Sequence, residues 1–331
     1  MRGAPPRIDL GPTHLYVVEA GGQRLVVDAG PDYDGAWQQL EAALQTCGLT
    51  PGDIALVLLT HAHLDHSGLA ARWQRAGVPV AAGRGDAPLL CDPHPAWFRD
   101  RLDATLREHG MPDDRRGRLL RGFGRYAFDQ EGGRKLELRV SPVVPAVLLD
   151  EGPVPGIPGV EAYVVPGHTP GSLVFRMPGS GWCFTGDHVL EGVNPTPGIQ
   201  FDPGGVHERL RSLPRYVRSL ARTRDLPEQR FFPAHGDATR PLGGAVDRLL
   251  QQIERRAGRV RRRLRERAMS AWEITYALYP HSAGRHAWLL VAETLGLLDL
   301  LEEAGSVAPV KDADGVLRYR VGIGRTGQHN A

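Results

Sequence analysis

Six consecutive residues, His61-Ala62-His63-Leu64-Asp65-His66, set three imidazoles and a carboxylate just beyond the apolar run 54–59. A β-branched and leucine-rich run without polar interruption fits a strand covered on both faces, with the titratable groups delivered at its C-terminal edge. Burying so many ionisable side chains together is costly unless a cation or dense hydrogen bonding compensates. Each histidine alone reads as readily as a satisfied polar group in a turn; the six residues as a unit read as a metal site. Imidazole nitrogens and a carboxylate suit zinc, iron or manganese, whereas calcium or magnesium would ask for oxygens. Four ligands rarely close a site for two metals, so further histidines and an acid are expected from later loops.

Those ligands appear at the ends of later strand-like runs. Runs are read at 136–140, 146–149, 160–165, 172–176, 182–185 and 230–232. Pro166-Gly167-His168 follows the third, Gly186-Asp187-His188 the fifth, and Ala234-His235-Gly236 the last. Glycine beside each candidate lets backbone approach closely. His188 is assigned a structural role, because neighbours in a strand point to opposite faces. Ahead of the cluster, 15–19 and 24–28 read as a hairpin turning at Gly21-Gly22, 36–47 as a helix, 69–76 as a helix and 78–82 as a strand. Asp28, at the end of the second run, reads either as a group orienting a ligand or as a turn-capping carboxylate. Residues 84–133, proline-punctuated and then helical in pattern, read as a helical insert walling or covering a pocket.

In this order, HAHLDH, GHT, GD and AHG resemble the metallo-β-lactamase superfamily over residues 8–240. The resemblance implies an α/β fold, an αββα sandwich with the site at one edge between its sheets. It implies that His61, His63 and His168 hold one metal, Asp65, His66 and His235 a second, and that Asp187 bridges them. A carboxylate at 187 separates the set from the β-lactamases proper and aligns it with glyoxalase II, lactonases and nuclease branches. The implied cofactors are two divalent ions, zinc foremost with iron or manganese as alternatives. The implied chemistry is hydrolysis by a hydroxide bridging the cations, with Asp65 orienting the nucleophile or relaying its proton.

Beyond His235 the apolar positions 242, 246, 249, 250, 253, 257, 260 and 264 step by threes and fours, a long amphipathic helix. Ser270-Ala271-Trp272-Glu273 reads as a capping box opening a helix to 278. A further helix over 284–304 and a hairpin of 308–310 with 317–321 complete a small winged-helix-like C-terminal domain over 241–331, following a catalytic domain of 1–240.

The formal net charge is +2, yet residues 254–267 hold eight arginines and two glutamates, +6 by themselves, which leaves −4 for the remainder. The cluster from Arg255 to Arg267 lacks interleaved aromatics for stacking bases and reads first as a solvated helix face, with nucleic acid the alternative. Three scattered cysteines without a CxxC pair suggest reduced thiols. With no apolar leader or spanning run, a cytoplasmic location without membrane association is expected. The leading reading is a hydrolase of a small ester, thioester or lactone; the alternative is a ribonuclease acting on single-stranded RNA. A small acyl substrate is the expected partner, and apolar surface on the insert leaves a homodimer open.

Overall fold

The computed structural model describes residues 3–93, 95–122, 126–129, 135–195, 197–204, 206–281 and 287–322, with backbone alone at 126–129. The chain forms two compact units, the first comprising Met1–Pro95, Gly124–Pro195 and Tyr216–Leu249, the second Ala96–Phe123, Thr196–Arg215 and Leu250–Ala331. The first unit opens with β1 (Arg7–Leu10), β2 (Thr13–Ala20), β3 (Gln23–Val27), α1 (Ala36–Thr46), β4 (Leu56–Leu58), α2 (Leu64–Ser67), α3 (Ala70–Arg75), β5 (Val80–Gly83) and α4 (Ala87–Cys91). Helices α5 (Ala96–Glu108) and α6 (Asp113–Gly122) belong to the second unit. The chain then continues through β6 (Tyr126–Asp129), β7 (Lys135–Leu138), β8 (Val147–Leu149), β9 (Gly152–Pro153), β10 (Glu161–Val164), β11 (Leu173–Met177) and β12 (Trp182–Gly186). Next come α7 (Ser212–Arg224), β13 (Arg230–Pro233), α8 (Leu242–Leu264), β14 (Met269–Ser270), α9 (Ala271–Leu278), α10 (Ala287–Glu303), β15 (Val307–Lys311) and β16 (Leu317–Val321).

In the first unit a six-stranded sheet, β1-β2-β3-β4-β5-β8, faces a five-stranded sheet, β13-β12-β11-β10-β9. The two-residue period of a strand explains how one sheet serves two layers. Leu25, Val27, Leu56, Leu58 and Ala81 point inward and share a core with Ala162, Leu173, Phe175 and Phe184 of the other sheet. Their neighbours Val26, Val57, Leu59, Val80 and Ala82 point outward and meet Leu40 and Leu44 of α1 and Trp73 of α3. β4 is therefore buried on both faces, as the uninterrupted apolar run requires. On the second sheet, α7 lies against β10: the Arg222 guanidinium stands 4.7 Å over the Tyr163 ring, and Ser219 donates to the Pro166 carbonyl at 2.8 Å. The layers thus run helix, sheet, sheet, helix.

Several elements differ from the sequence reading. The hairpin forms with Ala20 opposite Gln23, its turn residues Gly21 and Gly22 both at positive φ, but β2 reaches back to Thr13 and carries an additional edge strand, β1. Helix α7 was not anticipated; Pro214 and four arginines mask its apolar positions 213, 216 and 220, although proline is tolerated in a first helical turn. The run at 136–140 pairs as β7 with β6, outside both sandwich sheets. The helix start expected near 284 and parts of the insert, residues 94, 123–125 and 130–134, lie outside the described residues.

The second unit contains α9, opened by the expected capping box: Glu273 N–H donates to Ser270 Oγ at 3.2 Å and Ser270 N–H to Glu273 Oε2 at 2.7 Å. Thr275 of α9 donates to Thr294 of α10 at 2.8 Å, and β14-β16-β15 make a three-stranded sheet. Among the described residues no helix is long and apolar enough to cross a membrane.

Candidate metal centre

Four chain segments of the first unit converge. β4 ends at Leu58, and the next residues turn into the short helix α2, which places Asp65 and His66 in one turn while His61 and His63 stay in the preceding loop. His168 follows β10, Asp187 follows β12, and His235 follows β13. β12 and β13 are parallel neighbours, so their C-terminal ends deliver Asp187 and His235 side by side.

The donor atoms fall into two groups. His61, His63, His168 and Asp187 form one and Asp65, His66 and His235 the other, the atoms within each lying within 4.8 Å of one another. His63 Nδ1 is 3.0 Å from both His61 Nε2 and His168 Nε2. Asp65 Oδ2 is 3.1 Å from His235 Nε2 and 3.3 Å from His66 Nε2. Asp187 stands between the groups: Oδ2 is 3.4 Å from His168 Nε2, while Oδ1 is 3.3 Å from His235 Nε2 and 3.5 Å from His66 Nε2.

Hydrogen bonds on the far side of the rings set which nitrogen is free. His66 Nδ1 donates to Asp28 Oδ2 at 2.8 Å, and His235 Nδ1 to the Pro12 carbonyl at 2.7 Å. His168 Nδ1 lies 3.4 Å from the Pro195 carbonyl, an acceptor only. Thr60 gives its hydroxyl proton to Asp28 at 2.8 Å and so accepts from His61 Nδ1 at 3.1 Å. Four imidazoles therefore turn the lone pair of Nε2 toward the centre, the arrangement that orients metal-binding histidines. Asp28, left open between two roles by the sequence, serves as an orienting carboxylate.

Charge is distributed to match. Burial, and next the neighbouring imidazoles, hold His61 well below its ordinary pKa. Burial opposes charge on His66, but Asp65, Asp28 and Asp187 overcome it and hold this group well above its usual range. Burial likewise works against ionised Asp65 and Asp187, yet His66 and further partners keep both well below the usual carboxylate range. His66 Nε2 and Asp187 Oδ1 are buried with no hydrogen-bond partner among the described residues. Two unpartnered buried ligand atoms, among converging imidazole nitrogens and two carboxylates, make a pocket that fits divalent cations, which would take the place of a proton on His66.

His188 turns away from the centre, its Nε2 2.8 Å from Thr223 Oγ1. Two residues not singled out from the sequence also reach the ligand loops: Thr13, whose hydroxyl is 3.4 Å from Asp65 Oδ2, and Asp86, which bonds to Ala62 and Thr169. An aspartate just past a buried strand that follows the cluster was the available signal for Asp86; Thr13 carried none.

The model of one family, described as the metallo-beta-lactamase superfamily, matches residues 8–235. The chain belongs to the metallo-beta-lactamase superfamily. It is accordingly a metallo-hydrolase with a His/Asp cluster suited to divalent metals. Within this superfamily it is similar to the probable metallo-hydrolase YqjP of Bacillus subtilis, 28% identical over 305 residues and 90% of each chain. It is also similar to the atrochrysone carboxyl ACP thioesterase of Aspergillus fumigatus, 24% identical over 264 residues, 80% of this chain and 61% of that protein. A metallo-beta-lactamase family protein of Thermus thermophilus shares the fold over 96% of this chain and 98% of its own, with a TM-score of 0.74 at 22% identity.

Proposed function

We propose that this superfamily member is a dinuclear hydrolase, zinc its foremost metal, that cleaves a small ester, thioester or lactone. The observation that carries the reading is Asp187, one oxygen of which faces each donor group. His61, His63 and His168 would hold one cation, Asp65, His66 and His235 the other, with Asp187 spanning both. Bound there, two divalent cations supply an activated water and Lewis acidity toward the scissile carbonyl. The chain's own residues do the rest. Asp28 and the Pro12 carbonyl fix the second group's rings through Nδ1, so Nε2 cannot rotate away when substrate enters. Asp65, close to His235, His66 and Thr13, is the carboxylate placed to hold the nucleophile's orientation and take its proton.

Support for an acyl rather than a phosphoryl substrate comes from the thioesterase among the relatives. In this reading residues 1–240 are catalytic, and residues 241–331 form a winged-helix-like module of helices and the β15–β16 hairpin. The test is a parallel screen of a thioester, a lactone and an aryl ester with wild type and His168→Ala. Metal-dependent acyl turnover that His168→Ala abolishes is expected; no acyl turnover, with cleavage of bis-p-nitrophenyl phosphate or RNA, would overturn the reading.

One observation favours the alternative of a single-strand ribonuclease. Arg255, Arg261 and Arg262 on α8 and Arg265 just past its end are exposed, and none of them forms an ion pair among the described residues. Four such phosphate contacts would give binding to single-stranded RNA a log–log salt slope of about −3.

A further inference from the structure

Asp86 is fully buried yet belongs to neither donor group. It ends the single helical turn Arg84–Asp86 that follows β5. Its Oδ2 accepts from Ala62 N–H at 2.8 Å and from the Thr169 hydroxyl at 2.6 Å, and its Oδ1 accepts from Gly171 N–H at 2.6 Å. Ala62 sits between His61 and His63, and Thr169 follows His168. A single carboxylate thus holds both loops that carry the three imidazoles of the first group. Ser172 reinforces the join, its Oγ accepting from Thr169 N–H at 2.9 Å. The backbones meet without space between them: a Cβ on Gly83 would stand 2.1 Å from Gly171 O, and one on Gly171 would stand 2.2 Å from Asp86 N.

Two of the three partners are N–H donors and the third is a hydroxyl that can donate, so a carboxylate, acceptor at both oxygens, satisfies them together. An asparagine of the same size would turn an N–H₂ toward one donor and leave it unpaired, a cost felt in a buried site. Among the described residues the side-chain bonds of Asp86 go to the first group's loops, whereas His66 and His235 are oriented by Asp28 and the Pro12 carbonyl.

We propose that Asp86 is a positioning residue that presets the His61, His63 and His168 half of the metal centre, so that this half is assembled before a cation arrives. The inference rests on the two-metal reading above. The metal itself is the probe: Co²⁺ titrations of metal-free protein against a competing chelator, on wild type, Asp86→Asn and Thr169→Val. His168→Ala and His235→Ala assign the two binding steps to their halves. Asp86→Asn is expected to weaken the His168 step by about 10–100-fold, the range for groups that support metal ligands, while the His235 step changes by less than about 3-fold. Thr169→Val, which removes one of the three bonds, shifts the same step in the same direction by less. Equal weakening of both steps, or an unchanged His168 step, overturns the assignment. Should Asp86→Asn fail to fold, an unchanged His168 step in Thr169→Val overturns it alone. Wild-type protein that takes up no Co²⁺ overturns the two-metal reading and this inference with it. Wild type loading both halves, with both variants loading them identically, overturns only the role of Asp86.

Discussion

At the scale of single residues, Asp187 and His109 make contrasting tests. Asp187 belongs to the first group yet stands 3.3 Å from His235 Nε2 of the second, and under the proposed two-metal reading Asp187→Ala is expected to lower bound metal in both halves and to cut turnover by more than about 100-fold, the upper range for groups that only support ligands. Metal analysis and kinetics on the same sample check it, and retention of both metals with full activity would remove Asp187 from the centre. His109 tests burial away from the metals. Burial foremost, with Arg209 adding to it, pushes this imidazole down to about 3. In the unfolded chain it titrates near 6.5, so below that pH the unfolded state takes up a proton that the folded state refuses. Its contribution is thus intact above pH 6.5 and lost as pH falls from there toward 3. Replacing His109 with Gln should shrink the acid-side loss of stability at pH 4 by about 1–3 kcal/mol, measured by urea unfolding across pH. An unchanged pH profile would show that His109 takes its proton in the folded state.

Among the elements, those with a strong local signature were legible. The HAHLDH loop concentrates its chemistry within six residues, and α8 repeats apolar positions at helical spacing through Leu264. The capping box was likewise local; Ser270→Ala should cost about 1 kcal/mol, read as a drop in unfolding free energy and faster amide exchange in α9. Stability and exchange like those of wild type would mean the cap is solvated instead. What escaped is set by distant partners. β1 is a four-residue edge strand that exists because β2 offers it hydrogen bonds. α7 carries few apolar residues and shows its packing face only beside β10. Asp86 is one carboxylate in an unremarkable turn whose role depends on loops 24 and 83 residues away. Gly83 belongs with these: Gly83→Ala would drive a methyl into Gly171 O, and a loss of about 1–3 kcal/mol, with weakened metal binding, is expected from thermal melts with and without added metal. A fully stable Gly83→Ala variant would mean the loops can separate.

For the molecule as a whole, a superfamily fold leaves the substrate open, because the same donor set serves esters, lactones, thioesters and phosphodiesters. The arginines of α8 against an otherwise acidic chain make salt dependence informative: turnover of a small neutral acyl substrate should change little between 50 and 200 mM salt, whereas RNA binding should fall steeply. Beneath that choice lies the number of cations held by the seven donors. The most direct measurement is the metal content of purified wild-type protein beside Asp187→Ala. Two equivalents in the wild type, falling to one or fewer in the variant, is the expected result. Less than one equivalent in metal-replete wild type, or two equivalents retained by the variant, would contradict a centre built on a shared Asp187.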